Sequence, residues 1–301
     1  MRWGPFVEMD LADRDALRSV FQKHNIGAVI HFAALIEAGE SVREPAKYFR
    51  NNVANTLNLL DAMREAGVNR IVFSSTAAVY GNPLHTPMAE DHPKQPVNPY
   101  GVSKLMVEQL LECYGAAYGL AWTALRYFNA SGADPDGELG ELHQPESHLI
   151  PRAIAAACGD LPSLQVFGRD YETPDGTAVR DYIHVADLAS AHIRALERLT
   201  QGDPSGTFNL GTGRGYSVRE VIAAVERAGQ KVPIEEAPRR AGDPPMLVAD
   251  PARAARELQW TPQHSSLDHI VETAWNWYTR YRPAVALASD PPDAAVRERS
   301  L

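Results

Sequence analysis

The chain has 301 residues, is 45% hydrophobic, carries a formal charge of -9 and contains two cysteines. That length and apolar content support a sizeable core in one large domain or two closely joined ones, and the charge without a Lys/Arg-rich stripe argues against nucleic acid as a partner. Cys113 and Cys158 suggest neither a disulfide framework nor a thiolate metal site, and with no long apolar run and no secretory signal at the acidic start, no membrane contact and a cytoplasmic location are expected.

Residues 13–24 carry Leu17, Val20 and Phe21 at helical spacing, and 28–33 (AVIHFA) read as a buried strand. Residues 49–66 place Val53, Leu57, Leu60 and Met63 on one helical face, Gly67 ends that helix, and 71–74 make the next strand. A third helix opens after Asn98 and Pro99, runs to about 118 and is followed by a strand over 121–126. Short apolar strands alternating with long helices predict an α/β fold, a doubly wound, Rossmann-like parallel sheet covered on both faces.

From 130 the pattern changes to a stretch rich in Gly, Pro and acidic residues, then a helix over 149–157 and short strands at 164–167 and 179–183. This is the pattern of a second, smaller α/β lobe. An amphipathic helix over 187–199 precedes a strand at 207–210 that could rejoin the main sheet, and helices over 218–228, 253–258 and 267–281 follow. A doubly wound dinucleotide fold normally opens with a strand, a Gly-rich turn and a helix. No such unit precedes Asp10, so the first βαβ unit is expected to be missing and the grip on a cofactor's pyrophosphate to be weak. The cluster Gly211, Gly213 and Gly215 lies too late, lacks the final spacing of G-x-G-x-x-G and reads as a flexible turn.

Tyr100 and Lys104 stand four apart at a helix start and share one face. An ammonium beside a phenol favours the phenolate, which would let Tyr100 act as a base. Ser74, Ser75 and Thr76 follow the strand IVF, so their hydroxyls are expected at the carboxyl edge of the sheet, where such folds bind ligands. Together these features favour a catalytic site over a solvated lysine and an ordinary strand end. Elsewhere plainer readings compete. Arg180 and Asp181 could be a surface pair, His184 a satisfied core histidine, Asn129 a turn cap, and Arg239 with Arg240 either a solvated turn or an anion clamp, the clamp being favoured. His143, Glu146 and His148 could be imagined around a metal, but they lie in an irregular stretch without a rigid frame, and no metal is expected.

The segments HFAALIEAGESV, NNVANTLNLL, FSSTAAVYG, NPYGVSKLMVEQ, LRYFNASGA, GTAVRDYIHVADLASAH, NLGTGRGYSV and APRRAGDPP run in order through nearly all of residues 10–281. In them the chain resembles the UDP-glucose (UDP-galactose) 4-epimerase family of the extended short-chain dehydrogenases/reductases. The resemblance implies NAD as cofactor, a UDP-hexose as substrate and a homodimer paired through the helix around 55–63 and the one bearing Tyr100. It implies cofactor contacts from Asp10, Leu11, Phe32, Ala33, Ala34, Asn51, Ser74, Tyr100, Lys104 and Tyr127. On the substrate side it implies Thr76 at the sugar 4-hydroxyl, Asn129 and His148 at the diphosphate and Phe167 beside the uracil. Arg180 and Arg240 would be a diphosphate clamp, Asp243 would meet a ribose hydroxyl and Leu247 would border the sugar pocket. Ile36 and His148 stand where many members have lysine and asparagine.

Residues 1–130 and 177–213 are then expected to form the dinucleotide-binding domain, 131–176 and 214–282 the nucleotide-sugar lobe, and 283–301 a flexible tail. The implied reaction oxidises the sugar at C4, with Tyr100 as base, and re-reduces the 4-keto sugar from its other face. A 4,6-dehydratase of the same superfamily would need acidic residues where this chain has Ala77 and Ala78. A silent binding subunit is the alternative from another class.

Overall fold

The computed structural model describes residues 4–240 and 243–281, so the expected tail lies outside the described residues. Helix α1 (Arg14–Lys23) begins where the Asp13 carboxylate accepts hydrogen bonds from the amides of Asp15 and Ala16. Strand β1 (Val29–His31) follows, then α2 (Ala38–Arg43) and α3 (Pro45–Tyr48), two short helices that the sequence pattern did not announce. The expected helix at 49–66 is a π-helical stretch, Phe49–Ala54, continued by α4 (Asn55–Glu65). The wide turns fall where buried Asn52 faces inward.

Strand β2 (Arg70–Thr76) is longer than expected and carries all three hydroxyl residues within it. Helix α5 (Pro99–Tyr118) is capped by the Asn98 side chain and ended by Gly119 in the left-handed region. Strand β3 (Ala121–Tyr127) and the short β4 (Asn129–Ser131) follow, then α6 (Leu149–Ala157) and β5 (Leu164–Phe167). The expected strand at 179–183 is two strands, β6 (Val179–Arg180) and β7 (Tyr182–His184), broken at Asp181. The remainder comprises α7 (Val185–Thr200), β8 (Gly206–Leu210), β9 (Tyr216–Ser217), α8 (Val218–Ala228), β10 (Ile234–Ala237), β11 (Met246–Leu247), α9 (Ala252–Glu257) and α10 (Leu267–Arg280).

The main sheet has the order β1-β2-β3-β8, all parallel. Side chains alternate across it, as strand geometry requires. Ile71 and Phe73 pack with Leu17, Leu60, Met63 and Leu111 from the helices on one face. Val72 packs with Leu125, Leu188, Ala191 and Phe208 on the other. Burying one such side chain contributes roughly 1.5–3 kcal/mol, so this double-sided packing is the main source of order in the sheet. A separate core joins α6, α8 and α10 through Ile154, Val221, Val225, Ile270 and Val271. Beside it β5 pairs in parallel with β10, while β6 lies between β11 and β9.

Asp181 explains the break between β6 and β7. Its carboxylate accepts hydrogen bonds from the amides of Thr212, Gly213 and Ala249 and from the Thr212 hydroxyl. A Cβ on Gly211 would come within 2.6 Å of that carboxylate. The glycine cluster is thus a turn wrapped around a buried carboxylate. Burial raises the pKa of Asp181 and these hydrogen bonds only partly offset it.

Candidate active site

Thr76 ends β2, and Tyr100 sits in the first turn of α5. The two elements approach closely because residue 101 is glycine: a Cβ there would lie 2.5 Å from the Ala78 carbonyl oxygen. Lys104, one turn on, is buried and donates to the Ser74 carbonyl at 2.8 Å, with its ammonium 4.9 Å from the centre of the Phe73 ring. Ser74 Oγ in turn makes a very short contact with the Tyr127 hydroxyl. Thr76, Tyr100, Lys104, Ser74 and Tyr127 therefore line one end of the sheet.

Burial pushes the Tyr100 phenol up to about 12, with neighbouring Thr76 pulling in the opposite direction. Burial brings the Lys104 ammonium down to about 7, and its hydrogen bond goes to the Ser74 carbonyl. Burial also raises Tyr127, against the effect of Ser74. These hydroxyl and ammonium groups are the donor set a nicotinamide ribose requires. Phe32, Ala33 and Ala34 follow β1 at the same edge, with Phe32 exposed and its ring 4.6 Å from that of His192, which also meets Tyr127. The Nε2 atom of His192 is buried without a hydrogen-bond partner. This region fits the nicotinamide half of NAD.

Other expected cofactor residues lie in the surrounding elements. The Asp10 carboxylate closes a local turn onto the Ala12 amide, and the Leu11 carbonyl accepts from Asn58. The Asn51 side chain donates to that of Asn52. Asn52 is the stronger anchor and sequence reasoning passed over it. Its Oδ1 accepts from the Leu35 amide at 2.8 Å, and its Nδ2 donates to the Leu35 carbonyl and to Ser103 Oγ, each at 3.0 Å. It thereby ties the segment after β1 to the helix bearing Tyr100 and Lys104. The adjacent NN pair and the serine before Lys104 were the available signals.

A second network also went unread. Glu108 accepts from Ser75 Oγ at 2.6 Å and from Arg126 Nε and Nη2 at 2.9 and 2.5 Å. Arg126 Nη1 donates to the Tyr80 hydroxyl, which donates to Asn209. Burial opposes the charge of Arg126, but hydrogen bonds and attraction from Glu108 outweigh it and keep the guanidinium protonated. This network braces the segment on both sides of Thr76.

On the substrate side, Arg180 pairs with Asp243 at 2.7 Å, not with Asp181. Arg240 lies 3.9 Å from the centre of the Phe167 ring, a cation-π contact. Arg239 pairs with Asp170 at the surface. A cavity of about 390 Å3 opens between residues 82–86 and 243–246, beside the Arg180–Asp243 pair. Leu247 packs against the cluster of Ala77, Val79, Tyr80 and Met88. Asn129 donates to the Asp181 carbonyl, so it fixes the local backbone. His184 is a satisfied core residue, accepting from the Ala186 amide and meeting Thr273. His148 differs from expectation: its Nδ1 is engaged by Glu141 and lies 3.4 Å from Glu146, so a diphosphate there would meet carboxylates as well as the imidazole.

Residues 2–211 match the NAD dependent epimerase/dehydratase family. The chain is 50% identical over 281 residues to a UDP-glucose 4-epimerase of Rhizobium leguminosarum bv. trifolii, covering 93% of this chain and 86% of that protein. Its fold is similar to the crystal structure of UDP-glucose 4-epimerase from Brucella ovis in complex with NAD, with TM-score 0.90, 54% identity and coverage of 91% and 85% of the two chains. The enzyme from Stenotrophomonas maltophila, with bound NAD and formylated UDP-arabinopyranose, superposes with TM-score 0.89 at 46% identity, over 92% and 83% of the chains.

Proposed function

The chain belongs to the NAD dependent epimerase/dehydratase family, among the UDP-glucose 4-epimerases, and from that premise we propose that Tyr100, Lys104 and Thr76 carry its chemistry. The reaction is the NAD-dependent, reversible inversion of a UDP-hexose at C4 through a 4-keto sugar. The observation that supports these residues is the meeting of Thr76, Tyr100 and Lys104 at one sheet edge, with Gly101 allowing the close approach.

NAD, when bound, would supply the hydride acceptor and donor. Tyr100 would act as the base in its deprotonated form, which a neighbouring cation favours. Tyr100 then removes the proton from the sugar 4-hydroxyl and later returns it to the same oxygen on the other face. Thr76 holds that hydroxyl beside Tyr100, and Lys104 fixes the edge through Ser74 while its ammonium meets the cofactor ribose. Arg180 and Arg240 hold the diphosphate, Phe167 packs beside the uracil, and Asp243 passes from Arg180 to a ribose hydroxyl. Anchoring at the nucleotide leaves the 4-keto sugar free to turn without escaping. Dehydration would need a second acid and base; Ala77 and Ala78, in the 3-10 turn after Thr76, provide neither.

Pairing of two copies through α4 and α5 and a cytoplasmic location belong to the same proposal. Among the described residues no helix is long and apolar enough to cross a membrane. Turnover of UDP-galactose deuterated at C4 tests the mechanism. UDP-glucose that keeps the label at C4 is expected, whereas loss of the label to water or release of a 4-keto product would contradict it.

A further inference from the structure

Four potential metal ligands converge outside the catalytic edge. One ligand atom each from Glu141, His143, Glu146 and His148 lies within 4.8 Å of all the others. Four ligands around zinc at bonds of about 2.0–2.1 Å stand roughly 3.3 Å apart, the edge of a tetrahedron. His148 Nδ1 lies 3.4 Å from Glu146 Oε1, and His143 Nδ1 lies 3.9 Å from the same oxygen. His143 Nδ1 is buried and has no hydrogen-bond partner. The two imidazoles stack with centres 5.4 Å apart. Small adjustments of side chains would bring this set onto one ion.

The segment is also better fixed than its irregular sequence suggests. Trp277 Nε1 donates to the Glu141 carbonyl at 3.0 Å, Arg152 donates to the Glu146 carbonyl at 3.1 Å, and His148 is the residue that opens α6. Ser147 donates to Glu37, just ahead of α2, at 3.0 Å. The same Glu37 carboxylate lies 3.5 Å from His143 Nε2, the ring nitrogen opposite the unpartnered one. A carboxylate on the far nitrogen of a liganding histidine orients the ring and strengthens it as a donor.

We propose that Glu141, His143, Glu146 and His148 bind a divalent transition-metal ion of the zinc type, with Glu37 as its outer partner. Two imidazoles and two carboxylates suit zinc, whereas magnesium and calcium prefer all-oxygen sets. The ion is structural: it links the segment before α6 to the segment between β1 and α2, 110 residues away in sequence. This position differs from the expectation of no metal because fixing contacts come from Trp277 and Glu37, both remote in sequence from His143.

The test uses the whole chain, stripped with a chelator and dialysed, then titrated with zinc chloride by calorimetry and with cobalt chloride by visible absorption. One zinc per chain, with a dissociation constant below about 1 µM, and the intense visible bands of tetrahedral cobalt are expected. His143→Ala and Glu146→Gln should each weaken binding by at least about 10-fold, and Glu37→Gln by about 10-fold through the outer contact. Circular dichroism of each variant establishes that it is folded. The unmutated chain decides the matter independently of any variant. No zinc binding in the micromolar range, an octahedral cobalt spectrum, or equal affinity in a folded His143→Ala protein would each overturn the site.

Discussion

Replacing Glu108 with alanine should destabilise the protein far more than its single charge suggests. Its side chain is 3% exposed and that of Arg126 1%, and Glu108 accepts three hydrogen bonds, two from Arg126 and one from Ser75. Alanine would leave a guanidinium in the interior with only the Tyr80 hydroxyl and the Glu90 carbonyl as partners. Breaking a buried pair from one side costs about 3–5 kcal/mol. At roughly 2–3 °C per kcal/mol for a chain of this size, the Tm should fall by on the order of 10 °C. The double variant Glu108→Ala/Arg126→Leu removes the stranded charge and should recover more than half of that loss, leaving a cavity cost. Thermal unfolding followed by circular dichroism compares the three proteins. A loss below about 1 kcal/mol in the single variant, or a double variant no more stable than the single one, would refute the reasoning.

Acid should weaken the fold through His31, whose pKa burial lowers from 6.5 to about 4, with Lys104 adding to the effect. The unfolded chain takes up this proton first as pH falls through 6.5, so stability is lost between about 6.5 and 4, by up to about 3 kcal/mol. His31→Gln should flatten that limb in urea titrations at several pH values; an unchanged slope would exclude His31. Asn52→Ala strands the Leu35 amide and carbonyl and should cost about 2–3 kcal/mol in denaturant unfolding, while a cost near zero would remove Asn52 as an anchor of α5. Leu247→Ala should raise kcat/KM for N-acetylated UDP-hexoses by about 10-fold or more relative to UDP-galactose, read by steady-state kinetics; no change would place Leu247 away from the sugar.

The alternation of apolar strands and long helices made the main sheet readable, and caps such as Asp13 and Asn98 marked their helices accurately. Short pairings such as β4 with β7 and β11 with β6 were not readable, because two or three residues carry no period and their partners lie far along the chain. The π-helical turn escaped for a related reason: it follows from where Asn52 must point, not from composition. In the proposed site, Tyr100, Lys104 and Thr76 are candidates from their spacing, and the fold brings them to one sheet edge. Their protonation could not be read from spacing. Burial, which sequence does not report, raises the Tyr100 phenol and lowers the Lys104 ammonium, against the effect read from the tyrosine-lysine spacing. A surface pair of Arg180 with Asp181 is the plainer alternative in the sequence, yet successive residues on extended backbone face opposite ways and the two take different partners.

Tyr100→Phe tests the central claim most directly, since it removes the one oxygen that neighbours Thr76 and keeps the ring. Steady-state conversion of UDP-galactose to UDP-glucose, measured with saturating NAD for both proteins, should show turnover reduced by about 100-fold or more with KM little changed, the signature of a lost acid-base group. Turnover within about two-fold of the unmutated chain would remove Tyr100 from the role of base and with it the proposed chemistry at this sheet edge.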